Sequence, residues 1–105
     1  MESIDRIAGE WLADIFEKAF PDADLDPARL QVVETSEEIH GDYQCNAAMA
    51  LAKTLKQAPR QIAEQVAEAV EAHPAFLRKI EIAGPGFINL FVDEAWLADY
   101  AGKML

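Results

Sequence analysis

Ile80-Glu-Ile-Ala-Gly-Pro-Gly-Phe-Ile-Asn-Leu-Phe-Val92 is two alternating runs joined at Gly84-Pro85-Gly86, and its reading decides the fold. Residues two apart on a strand share a face. Ile80 and Ile82 therefore join Ile88, Leu90 and Val92 on one aliphatic face, while Lys79, Glu81 and Ala83 line up with Phe87, Asn89 and Phe91 on the other. A strand with apolar residues on both faces usually lies between two layers. Here the second face mixes charges, a small residue and two aromatics flanking an amide, the chemistry that stacks on an unpaired base and reads its edge. Two readings of that face are open. It meets RNA, or Phe87 and Phe91 pack beneath the first helix or the 20–29 connector. Gly84 and Gly86 allow positive φ and Pro85 stiffens the turn between them, a pattern found in turns of every function.

Working outward, Ile4, Ile7, Ala8, Trp11, Leu12, Ile15, Phe16 and Ala19 recur at three-and-four spacing and predict a helix over 3–19. Ser3 suits its N-cap, and Pro21 with the acidic 22–26 stretch ends it. Leu30–Thr35 alternates and is β-branched, as a strand should be. A second helix is expected from Asp42, its N-cap, to Leu55. A third runs from Pro59, fitted to its first turn, to about Ala72. Asp93 caps a last helix holding Trp96, Leu97, Tyr100 and Met104. The expected order is α-β-α-α-β-β-α, with room for a fourth short strand near Ile39, where the signal is poor. Few strands, a hairpin and several helices imply an α+β fold, a two-layer sandwich of a three- to four-stranded antiparallel sheet against about four helices. Residues 1–105 suffice for a single domain.

Composition narrows the function. An apolar content of 51% is that of a globular chain, and no run of about 18 apolar residues suggests a membrane span. The acidic, polar N-terminus is not a signal peptide, which leaves a cytoplasmic protein as the expectation. The single Cys45 excludes an internal disulfide and a cysteine zinc cluster. A net charge of −10 opposes phosphate binding, but its distribution weakens the objection. Residues 1–40 carry −8 and 93–105 carry −2, whereas 41–92 are neutral and include Lys53, Lys56, Arg60, Arg78 and Lys79. A small base-directed RNA contact fits that neutral middle. A broad phosphate-binding surface, such as DNA calls for, does not.

Catalytic groups are scarce. His40 and His73 are the only histidines, and both sit at expected helix ends. Cys45, one turn into the expected second helix, would have a pKa lowered by the helix N-terminus, although a small buried side chain is its plainer role. There is no Gly-rich phosphate loop, no metal-ligand pair at helical spacing and no nucleophile elbow. Glu37-Glu38 and Asp93-Glu94 read as solvated ends of elements. No catalytic and no metal site is expected.

Three motifs in order are more specific. Gly41-Asp-Tyr-Gln-Cys-Asn46 precedes an Ala-rich helix, Ala58-Pro-Arg-Gln-Ile-Ala63 follows, and Ile82-Ala-Gly-Pro-Gly-Phe-Ile-Asn89 closes the series. Together they resemble the N-terminal additional domain of arginyl-tRNA synthetases, over about Ile4 to Leu97. The resemblance implies a small α/β module that leans on the tRNA elbow and touches the D-loop. It implies that the aromatic after the glycine turn, Phe87, stacks near a D-loop base and that Asn89 hydrogen-bonds to it. Tyr43 and Asn46 match the motif at the second helix, Asn46 as a further RNA contact, and Gly84, Pro85 and Gly86 shape the site. Ala83 stands where some relatives have a polar residue. The family's enzyme joins arginine to tRNA(Arg) with ATP and magnesium. Its His-Ile-Gly-His and Lys-Met-Ser-Lys-Ser signatures are absent from this sequence. The sequence is therefore expected to be an N-terminal, non-catalytic piece, with the catalytic domain of the same polypeptide as its second partner. The alternative is a protein-interaction or interdomain docking module without RNA contact.

Overall fold

The computed structural model describes residues 3–23, 25, 30, 32–35 and 41–103. Along the chain these form α1 (Ile4–Ala19), β1 (Val32–Glu34), β2 (Tyr43–Cys45), α2 (Ala47–Leu55), α3 (Pro59–Ala69), β3 (Leu77–Ala83), β4 (Phe87–Val92) and α4 (Glu94–Lys103). The four strands make one antiparallel sheet in the order β1-β2-β4-β3. The fold is the expected α+β arrangement.

Parity holds across the sheet. The pairs Ile80–Leu90 and Ile82–Ile88 on one side, and Tyr43–Leu90 and Cys45–Ile88 on the other, put the aliphatic residues of three strands on one face. That face carries Val32, Cys45, Leu77, Ile88, Leu90 and Val92 into a core completed by Leu12, Ile15 and Phe16 of α1, Leu51 of α2, and Ile62 and Val66 of α3. Burying such side chains contributes roughly 1.5–3 kcal/mol each. A chain of ring contacts runs beside the core. Trp11 meets Phe76, Phe76 meets Trp96, and Trp96 stacks on Tyr100 at 4.8 Å.

The second helix begins later than the sequence suggests. Asp42 is not its N-cap: Tyr43–Cys45 is a strand, and α2 starts at Ala47 behind Asn46. Asp42 serves the sheet instead. Its backbone N–H donates to Leu90 O at 2.9 Å, and its carboxylate Oδ2 accepts from Val92 N–H at 2.8 Å. Gly41 permits this close approach. Its φ is +83°, and a Cβ there would stand 2.6 Å from Leu90 O. The fourth strand is therefore β2, while the expected site near Ile39 lies outside the described residues, as do His40, the Glu37-Glu38 pair and Met104. Asp93 caps α4 as expected, accepting from Trp96 N–H at 2.8 Å.

Candidate nucleic-acid interface

The opposite face of the sheet lies outside the core cluster of the described residues. Across it the register sets Val33, Gln44, Asn89 and Glu81 in one row, with Phe87 beside Ala83 and Phe91 beside Lys79 in the flanking rows. None of these residues belongs to the core cluster. Among the described residues neither Phe87 nor Phe91 joins the core cluster to which α1 contributes, and part of the 20–29 connector lies outside those residues. Extending the β2–β4 register one step beyond Cys45–Ile88 brings Asn46 opposite Phe87. Asn46, distant in sequence from Phe87 and Asn89, thus comes to the same hairpin end of the sheet. Asn46 is exposed, and although it holds the N-cap position of α2, its side chain makes no cap bond.

Asn89 sits deeper than a surface reading suggests, with 1% of its area exposed. Its Oδ1 accepts from Gln44 Nε2 at 2.8 Å. Nδ2 has no acceptor among the described residues and keeps a sliver of surface, since no fully buried side-chain nitrogen or oxygen is left unpaired there. A buried amide normally satisfies its donors. The Gln44 bond thus occupies the Oδ1 edge of the Asn89 amide and leaves its Nδ2 without an acceptor among the described residues. Gln44 was not a candidate from sequence. The signal was available, because Tyr43 and Cys45 alternate with Gln44 and Asn46 once the segment is read as a strand rather than a helix start.

Two aromatics flank that amide differently. Phe87 is half-buried, and its ring stands over Gly84, where a Cβ would lie 3.5 Å from the ring. Phe91 is 5% exposed yet is not a member of the main core cluster. Beside it a slip in register between Leu77 and Lys79 leaves Arg78 as the extra residue of a bulge. Both cations then reach the Phe91 ring, Arg78 at 5.0 Å and Lys79 at 4.4 Å from its centroid. Phe91 is thus flanked by two cations, and Phe87 is the more exposed of the two rings.

The turn that presents Phe87 is fixed from behind. Gly86 has φ +138°, and a Cβ on it would lie 2.8 Å from both the carbonyl carbon and the oxygen of Pro59. The turn therefore rests flush on the start of α3. Arg60 Nη1 donates to Gly84 O at 2.9 Å, while Arg60 Nε bonds Glu64 at 3.2 Å.

Among the described residues the acid–base candidates do not converge. Cys45 lies in β2, not in a helix. Burial pushes its thiol up, only partly opposed by the backbone N–H of Ala47. Burial also raises the Tyr43 phenol, helped by the carboxylates of Glu34, Asp5 and Asp42. His73 is exposed. Both raised groups are acids that the fold keeps neutral. Their stabilisation is full below their unfolded pKa values and is lost as pH rises through the raised ones. Stability should therefore fall above about pH 8.5, the ordinary thiol range. Cys45→Ala should remove the first part of that fall in denaturant midpoints taken between pH 7 and 10. A wild-type profile flat across that range contradicts it.

The motif-bearing segments thus meet at one corner of the sheet. The family described as arginyl tRNA synthetase N terminal domain matches residues 8–92. The chain belongs to this family. An arginine–tRNA ligase of Klebsiella pneumoniae is 42% identical over 103 residues, which is 98% of this chain and 17% of that ligase. The chain thus spans about a sixth of the curated relatives it matches. Among solved structures, the Plasmodium falciparum arginyl-tRNA synthetase superposes with a TM-score of 0.77 at 21% identity, over 94% of this chain and 18% of that one. The Thermus thermophilus arginyl-tRNA synthetase gives 0.74 at 22%, over 94% and 16%. At that identity the two structures speak for the fold of this arginyl-tRNA synthetase N-terminal domain.

Proposed function

We propose that this chain is the non-catalytic part of an arginine–tRNA ligase that contacts the D-loop side of the tRNA(Arg) elbow. Phe87 stacks on an unpaired base, Asn89 donates from Nδ2 to the edge of that base, and Asn46 borders the site. The observation that carries this reading is the Asn89 amide, nearly buried, oriented by Gln44 and with its donor unclaimed, next to a half-buried ring. Such a donor is costly to leave unused and suits an acceptor on a base. Stacking on Phe87 and one oriented hydrogen bond need few cations, which fits a neutral patch on an acidic chain.

Within that reading residues 1–105 act as one domain, and the catalytic domain of the same polypeptide is the second partner. ATP and magnesium belong to that catalytic domain. Among the described residues no three His, Cys, Asp or Glu side chains are grouped to hold a metal ion. No described helix is long and apolar enough to cross a membrane, and a cytoplasmic ligase is the setting we infer.

The test is a chemical-shift titration of the isotope-labelled chain with tRNA(Arg). Shifts should concentrate at Gln44, Asn46, Gly84, Phe87 and Asn89, and binding should be weak and only mildly salt-dependent, because few phosphates are neutralised. A response centred instead on the exposed Leu97 of α4, or seen only with a separate catalytic domain, favours an interdomain docking module without RNA contact.

A further inference from the structure

We propose that Arg60 is a positioning residue for the base contact, acting through the turn that carries Phe87. This rests on the RNA-contact reading above and adds a residue that never touches the base. The Ala58-Pro59-Arg60 and Gly84-Pro85-Gly86 motifs are separated by more than twenty residues, yet they form one joint. Arg60 Nη1 donates to Gly84 O at 2.9 Å across that separation. Its Nε is held by Glu64 one turn along α3 at 3.2 Å, so the guanidinium is oriented before it reaches the turn. Gly86 lies against the Pro59 carbonyl with no space for a side chain, and Gly86 N–H closes the turn on Ala83 O at 3.2 Å. Phe87 follows directly, its ring over Gly84. A planar donor fork fixed at one end by a carboxylate fits such a clamp better than a mobile ammonium would. Arg60 is itself exposed, so its loss empties no part of the core.

The experiment uses the full-length ligase carrying this domain and four proteins: wild type, Arg60→Ala, Phe87→Ala and the double variant. Arg60→Ala should weaken tRNA(Arg) binding about 3- to 10-fold in the wild-type background and less than about 2-fold in the Phe87→Ala background, because coupled residues are non-additive. The slope of log affinity against log salt should not change, whereas a lost phosphate contact would lower it by about 1. Arg60→Lys, which keeps a donor for Gly84 O, should recover part of the affinity. Amide hydrogen exchange at Gly86 and Phe87 should quicken in Arg60→Ala while exchange in β4 beyond Asn89 stays as it was. Full additivity with Phe87→Ala, or a reduced salt slope, overturns the positioning role in favour of direct contact. Phe87→Ala weakening binding while Arg60→Ala does not also overturns it, leaving the RNA contact standing. If Phe87→Ala itself binds normally, the RNA-contact reading fails, and with it the proposed role. Unchanged exchange at Gly86 and Phe87 overturns the clamp on its own.

Discussion

Gly86→Ala is expected to destabilise the fold by about 3 kcal/mol, while Gly84→Ala, two residues earlier in the same turn, costs about 1 kcal/mol. The contrast follows from geometry. At Gly84 φ is +53°, inside the small left-handed well that L-residues visit at modest cost, and a new methyl would meet the Phe87 ring at an ordinary 3.5 Å. At Gly86 φ is +138°, outside that well, and the methyl would collide with the backbone of Pro59 at 2.8 Å and of Arg60 at 3.1 Å. Backbone cannot rotate away as a side chain can, so strain and overpacking add. Against a typical domain stability of about 5–15 kcal/mol the loss is large. Denaturant midpoints of the two variants read it directly. Equal midpoints would mean that the turn does not rest on α3.

Why some of this was legible in the sequence and some was not comes down to the range of each signal. The hairpin declares itself because period-two alternation is local, and both its faces came out as parity requires. The Asp93 cap and Pro59 at the first turn of α3 are local signals too. What failed was Tyr43–Cys45. Three residues are too few to show a period, and Asp42 ahead of an Ala-rich run imitates a helix cap. Asp42 instead bonds Val92, fifty residues on, and no local pattern reports such a partner. The Gln44–Asn89 amide pair and the Arg60–Gly84 bond were hidden for the same reason. The bulge at Arg78 was invisible because one inserted residue leaves the alternation of β3 nearly intact, yet it sets both Arg78 and Lys79 beside the Phe91 ring.

Phe87→Ala is expected to separate binding from stability. Truncating a buried core Phe typically costs about 3–5 kcal/mol. Phe87 is half-buried and outside the core cluster, so the fold should lose no more than about 1 kcal/mol. Loss of a base stack costs about 1–3 kcal/mol of affinity, roughly 5- to 150-fold. Phe91→Ala should show the reverse balance. Its ring is 5% exposed and carries two cations, so removing it strips cover from the sheet and should affect stability more than RNA affinity.

The claim that the open face of the sheet reads RNA is tested most directly by equilibrium binding of tRNA(Arg) to the full-length ligase with and without Phe87→Ala, at one fixed salt concentration. The account predicts a dissociation constant raised about 5-fold or more, with the unfolding midpoint nearly unchanged. A variant that folds like the wild type and binds tRNA(Arg) just as tightly would contradict it.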